Sequence, residues 1–142
     1  MKMQSVLAAK GRRVVTVSPQ APIDDALKLL VEHNIGALIA IDESRVPVGM
    51  LSERDIIRSL AAGRGVRERT VGDLMTRDVV TGSPEDDIEA VLQMMTSRRF
   101  RHLPIMDEGV LVGMVSLGDL VKALLNDYRG AVDTLETRLM TS

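Results

Sequence analysis

Two short segments of this 142-residue chain carry the same chemistry. Ser52-Glu53-Arg54-Asp55 and Ser116-Leu117-Gly118-Asp119 each set a hydroxyl three residues before a carboxylate, shortly after a glycine, Gly49 or Gly113. Serine with an acid three positions later is the pattern of a capping box, which stabilises a helix start by about 0.5–2 kcal/mol. The same arrangement suits a phosphorylated, hydroxyl-rich ligand. A helix N-terminus offers free N–H groups and partial positive charge to an anion. An aspartate at its edge can accept from both hydroxyls of a ribose, and Gly49 or Gly113 lets backbone come close with no Cβ between. A side chain can cap its helix and still face a ligand, so both readings stand.

Basic residues bear on how a phosphate would be held. Arg98-Arg99-Phe100-Arg101-His102 concentrates positive charge, and a guanidinium grips phosphate oxygens in a bidentate fork. Arg98 and Arg99 read as solvated surface. The first copy has Gly36-Ala37 where the second has Arg101-His102, and Arg54 where the second has Gly118. The two candidate sites are therefore chemically unequal. Catalysis is not expected. The only histidines, His33 and His102, lie in non-equivalent places, and no nucleophile–base pair, paired acids or metal cluster is spaced for chemistry. Acids gather instead at helix starts, Asp24-Asp25 and Glu85-Asp86-Asp87, where they favour the helix dipole.

Composition narrows the partners. A net charge of -2 argues against a nucleic-acid partner, which needs phosphate neutralisation. Phe100 and Tyr128 are the only aromatic residues, too few for a platform that stacks single strands. The chain has no cysteine, so disulfides, thiolate metal sites and cysteine nucleophiles are excluded. No apolar run approaches the roughly 18 residues of a membrane span, and the first ten residues lack the apolar stretch of a signal peptide. A cytoplasmic location is the expectation.

The elements that must position these residues are themselves repeated. Val14-Val15-Thr16-Val17-Ser18-Pro19 matches Val79-Val80-Thr81-Gly82-Ser83-Pro84, and Gly49 through Asp55 matches Gly113 through Asp119. After each Ser-Pro comes an amphipathic helix, with Ile23, Ala26, Leu27, Leu30 and Val31 on one face and Ile88, Val91, Leu92 and Met95 on its counterpart. Leu38–Asp42 with Val48–Leu51, and Leu103–Asp107 with Val112–Val115, read as hairpins that lead into the helices at Ser52 and Ser116. The fold class is α/β, two tandem strand–helix–strand–strand–helix repeats. Neither copy alone buries enough apolar surface, so the two should pack together. The expected map is an N-terminal helical segment over 1–11, a first repeat over 12–62 and a solvated linker over 63–72. A second repeat over 73–126 and a helical tail over 127–142 complete it. In that tail Val121, Leu125, Tyr128, Val132, Leu135 and Leu139 form a heptad seam, with Gly130 as a possible break.

These residues carry a resemblance. Asp73-Leu74-Met75-Thr76-Arg77-Asp78-Val79-Val80-Thr81, Arg101-His102-Leu103-Pro104-Ile105 and the two Gly-x-x-Ser-x-x-Asp segments are similar to the CBS-domain family in its two-repeat Bateman-module form. The resemblance spans roughly residues 10 to 127 and occurs twice in register. It implies repeats packed with pseudo-two-fold symmetry, a C-terminal helix, and adenine nucleotide held in the clefts between them. It further implies that Asp55 and Asp119 hold the ribose diol, that Ser52 and Ser116 lie near the phosphate, and that Thr16 and Thr81 line the clefts. Arg101 and His102 fall where the family often places a phosphate-binding pair; Gly36, Ala37, Arg54 and Pro104 complete the candidate set. The base would lie between aliphatic walls drawn from Ile39, Ala40, Met50, Pro104, Ile105 and Met114. The expected ligand is AMP in preference to ADP, ATP or NAD, with no catalytic cofactor. The expected assembly is a homodimer, together with an unidentified regulated protein. The alternative is a ligand-free module for dimerisation or partner docking.

Overall fold

Each repeat builds its sheet around one hairpin. The structure, a computed structural model, describes residues 1–11 and 13–141. In the first repeat β2 (Ala37–Ile41) pairs antiparallel with β3 (Pro47–Ser52), and β1 (Thr16–Val17) adds parallel to β2, with Thr16 opposite Ile39. In the second, β4 (His102–Asp107) pairs with β5 (Val110–Ser116), giving a two-stranded sheet. The expected leading strand of this repeat is reduced to a parallel bridge between Gly82 and Ile105, in register with the Val17–Ala40 pair. Gly82 stands where the first repeat has Val17, and glycine lacks the branched side chain that holds a short strand extended.

The helices follow the apolar periodicity. α2 (Ile23–His33) buries Ile23, Ala26 and Leu30, and α5 (Ile88–Arg98) buries Ile88, Val91 and Met95. Both end on a residue in the left-handed conformation, Asn34 at φ 51 and Arg99 at φ 59. Val31, read as part of the inward stripe, is 81% exposed. At 100° per residue it lies about 80° from Ile23, past the edge of a narrow apolar face. α3 (Glu53–Ala61) and α6 (Leu117–Thr141) follow the hairpins. α6 runs through Gly130 without the break that the sequence left open. Among the described residues no helix is long and apolar enough to cross a membrane.

The segments that precede the repeats cross over. α1 (Met3–Lys10) buries Met3, Val6 and Leu7 in the core of the second repeat, against Ile88, Met95, Ile105, Val115 and Leu120. α4 (Val71–Leu74) and Met75 do the converse: Val71 and Met75 join the core of the first repeat, with Val17, Ile23, Leu38 and Leu51. The stretch 63–72 is therefore not simply a solvated linker. It forms a 3₁₀ turn at Val66–Glu68 with Val66 in the first core, and hydrogen bonds run from Ile23 N to Arg69 O and from Val71 N to Ala21 O. Two valines among arginines escape a compositional reading because burial acts on single side chains, not on average polarity.

Candidate functional site

Ser52 and Ser116 end the second strand of each hairpin and cap the helix that follows. Asp55 N donates to Ser52 Oγ at 3.3 Å, while Asp55 Oδ2 accepts from Ser52 N at 2.8 Å and Ser52 Oγ at 3.0 Å. Asp119 N donates to Ser116 Oγ at 3.1 Å and Asp119 Oδ2 accepts from Ser116 N at 2.8 Å. The boxes fix each carboxylate, half-buried, over the first turn of α3 or α6.

The hairpin register brings the remaining candidates beside them. Ala37 lies opposite Ser52, and His102 opposite Ser116. Glu53 N donates to Gly36 O at 3.0 Å and Leu117 N donates to Arg101 O at 2.8 Å, so each helix start is tied to the residue that opens the inner strand. The two assemblies face one another. A Cβ built on Gly36 would lie 2.7 Å from Glu53 Oε1 and 3.7 Å from His102 Cε1, so the second repeat's histidine reaches the first repeat's strand start. Thr16 is half-buried beside the inner strand of its repeat; Thr81, next to the Gly82 bridge, is exposed. Arg54 and Arg101 are exposed. Of the aliphatic walls, Ile39, Ala40, Pro104 and Ile105 are buried, leaving Met50 and Met114 half-buried.

Gly49 and Gly113 also have a packing duty. A Cβ on Gly49 would run into Met75 Sδ, and one on Gly113 would come within 2.6 Å of Leu7 Cδ2. The missing side chains make room for the crossing segments.

Lys10 is the residue that sequence reasoning missed. Its ammonium donates to Asp119 Oδ2 at 2.5 Å and to Met114 O at 2.7 Å. No local pattern marks it, because its partner lies 109 positions away. Burial alone would raise the Asp119 carboxyl, but the hydrogen bonds from Lys10 and Ser116, with the charge of Lys10, hold it below the usual carboxylate range. His102 is also shifted. Burial first, then the charges of Lys10 and Arg101, lower its imidazole against the opposing pull of Asp119 and Glu53.

A family model for the CBS domain matches residues 10–62 and again 71–126. The chain belongs to the CBS-domain family. As a CBS pair it is 38% identical over 134 residues to CBS domain-containing protein YhcV of Bacillus subtilis, covering 93% of this chain and 94% of that one. It is 35% identical over 116 residues to the mitochondrial CBS domain-containing protein CBSX3 of Arabidopsis thaliana, covering 78% of this chain but 56% of that protein's length. Among solved structures, the CBS-domain containing protein ATU1752 from Agrobacterium tumefaciens superposes with a TM-score of 0.83 at 36% identity, over 87% of this chain and 98% of that one. The CBS domain pair of protein MJ0100, in complex with 5′-methylthioadenosine and S-adenosyl-L-methionine, superposes with a TM-score of 0.79 at 25% identity, over 89% and 98%.

Proposed function

We propose that this CBS pair is a non-catalytic sensor that holds an adenine nucleotide between its repeats, AMP in preference to ADP, ATP or NAD. The observation that carries this reading is the pair of half-buried aspartates, each fixed at a capped helix start beside the opening of an inner strand. A ribose presents two hydroxyl donors, and a carboxylate presents two acceptor oxygens. The related pair MJ0100 holds two ligands that share an adenosine and carry no phosphate, so the adenosine half of the proposal has that precedent. The preference for AMP rests on this chain's own donors. The N-termini of α3 and α6 favour an anion, and Arg101 stands one residue ahead of β4, with its carbonyl tied to the start of α6.

Occupancy would act through a homodimer. α3 exposes Ile57 and Leu60, and α6 exposes Val121 and Leu125, apolar positions suited to a second copy of the chain. The same residues favour the second reading, a docking module that works without ligand. The test is thermal. AMP should raise the melting temperature of the wild-type protein by mass action, and the protein as purified should show absorbance near 260 nm from retained nucleotide. In the Asp55→Ala/Asp119→Ala double variant the AMP response should vanish while the protein stays folded. A full AMP response in the double variant would remove both aspartates from ribose binding.

A further inference from the structure

Lys10 reaches the second cleft from outside the two strand–helix–strand–strand–helix units. It ends α1, whose Met3, Val6 and Leu7 are buried in the second core, so an anchored helix delivers the side chain. In the first repeat the carbonyl equivalent to Met114 O is Met50 O, which accepts from the Thr76 backbone N–H at 2.9 Å. Among the described residues no ion pair forms to Asp55, whereas Asp119 carries the Lys10 ammonium. Among the described residues, the two matched carboxylates thus differ by one cation, Lys10, held on Asp119.

We propose that Lys10 is a charge gate that makes the second cleft selective for nucleosides bearing a 5′ anion. The inference rests on the nucleotide reading above and names the ligand charge that one cleft demands. A ribose that docks on Asp119 must loosen the ammonium from the carboxylate. A neutral nucleoside breaks that ion pair and returns no charged acceptor to the cation. A 5′-phosphate gives the displaced ammonium a new charged acceptor, so AMP keeps a cation–anion contact that adenosine lacks. Arg101 adds charge of the same sign beside the same helix start, and His102, shifted toward its neutral form, does not. The first cleft, where no described residue forms an ion pair with Asp55, discriminates less by 5′ charge.

The experiment isolates the second cleft with Asp55→Ala and titrates AMP and adenosine by calorimetry, with and without Lys10→Met. Methionine keeps the length of the side chain and removes the ammonium; an unchanged circular dichroism spectrum reports that α1 is still docked. Expected is adenosine binding tightened roughly two- to fivefold by Lys10→Met, the scale of a partly exposed ion pair. AMP should bind no more tightly, so the ratio between the two ligands shrinks. Lys10→Arg, which retains the charge, should keep the original ratio. Adenosine affinity unchanged or weakened by Lys10→Met overturns the gate and leaves the nucleotide reading standing. Binding of neither ligand by the wild-type protein overturns the nucleotide reading and the gate together.

Discussion

His102 shows how much a single side chain's behaviour depends on its neighbours. It opens β4, opposite Ser116, and its ring reaches Gly36 of the other repeat, whose carbonyl accepts from Glu53 N. Burial and the charge of Lys10 hold its imidazole below the ordinary value of about 6.5. A histidine whose folded pKa is depressed binds its proton more readily when unfolded, so acid favours unfolding. The stability linked to neutral His102 is complete above about pH 6.5 and declines as the pH falls from there toward the folded value. His102→Gln should therefore flatten the loss of melting temperature between about pH 7.5 and 5.5 relative to wild type. Thermal melts across that range check it, and parallel curves would assign the acid response elsewhere. Asp119 acts in a lower window. Its depressed carboxyl contributes stability above the usual carboxylate range and loses it as the pH falls through the folded value. At this scale the Ser-x-x-Asp boxes were legible because their bonds close within three residues, whereas the Lys10 contact was not.

Among the elements, α6 carries the clearest unspent apolar surface. Val121, Leu125, Tyr128, Leu135 and Leu139 are all exposed on it, and Val132 is half-buried. The 4-3 spacing that marked these residues in sequence is realised on one unbroken helix. Gly130 costs about 1 kcal/mol in a helix interior, a local penalty that 25 residues of hydrogen-bonded helix absorb. Burying each aliphatic residue of the seam would contribute about 1.5–3 kcal/mol before side-chain entropy is subtracted. Truncation after Asn126 should therefore weaken the proposed dimer on dilution while leaving AMP affinity within a few-fold of the full chain. Sedimentation and nucleotide titration check the two halves of that expectation. Undiminished dimer affinity would take the tail out of the interface, and lost AMP binding would tie it to the cleft.

For the molecule as a whole, the crossing of α1 and α4 onto opposite repeats locks the pair together. Each repeat completes its core with a helix that lies outside its own strand–helix–strand–strand–helix unit. At Gly113 α1 packs against β5, and a methyl group there would come within 2.6 Å of Leu7 Cδ2. Gly113→Ala should destabilise the protein by about 1–3 kcal/mol, the cost of overpacking a filled core. Shortening the opposing side chain in the same molecule, Gly113→Ala/Leu7→Ala, should recover part of that loss relative to the sum of the single effects. Thermal or urea unfolding of the three variants measures the coupling. Strict additivity would mean that the glycine and the helix do not press on one another.

What the sequence determined by itself was everything set by close neighbours along the chain and by its own repetition. Helix stripes, hairpins and both capping boxes answer to interactions spanning three or four residues or one tight turn. Writing the pattern twice supplied the family resemblance and the two-repeat architecture. Tertiary structure decided the rest. Which repeat α1 covers, why Gly49 and Gly113 lack side chains, how Val66 enters a core from an arginine-rich stretch, and which carboxylate meets a cation all depend on close packing. Packing joins residues by shape across the whole chain, and no periodicity records it. The clefts differ in sequence at Arg54, Arg101 and His102, and tertiary structure adds a further difference by bringing Lys10 onto one of the two matched aspartates.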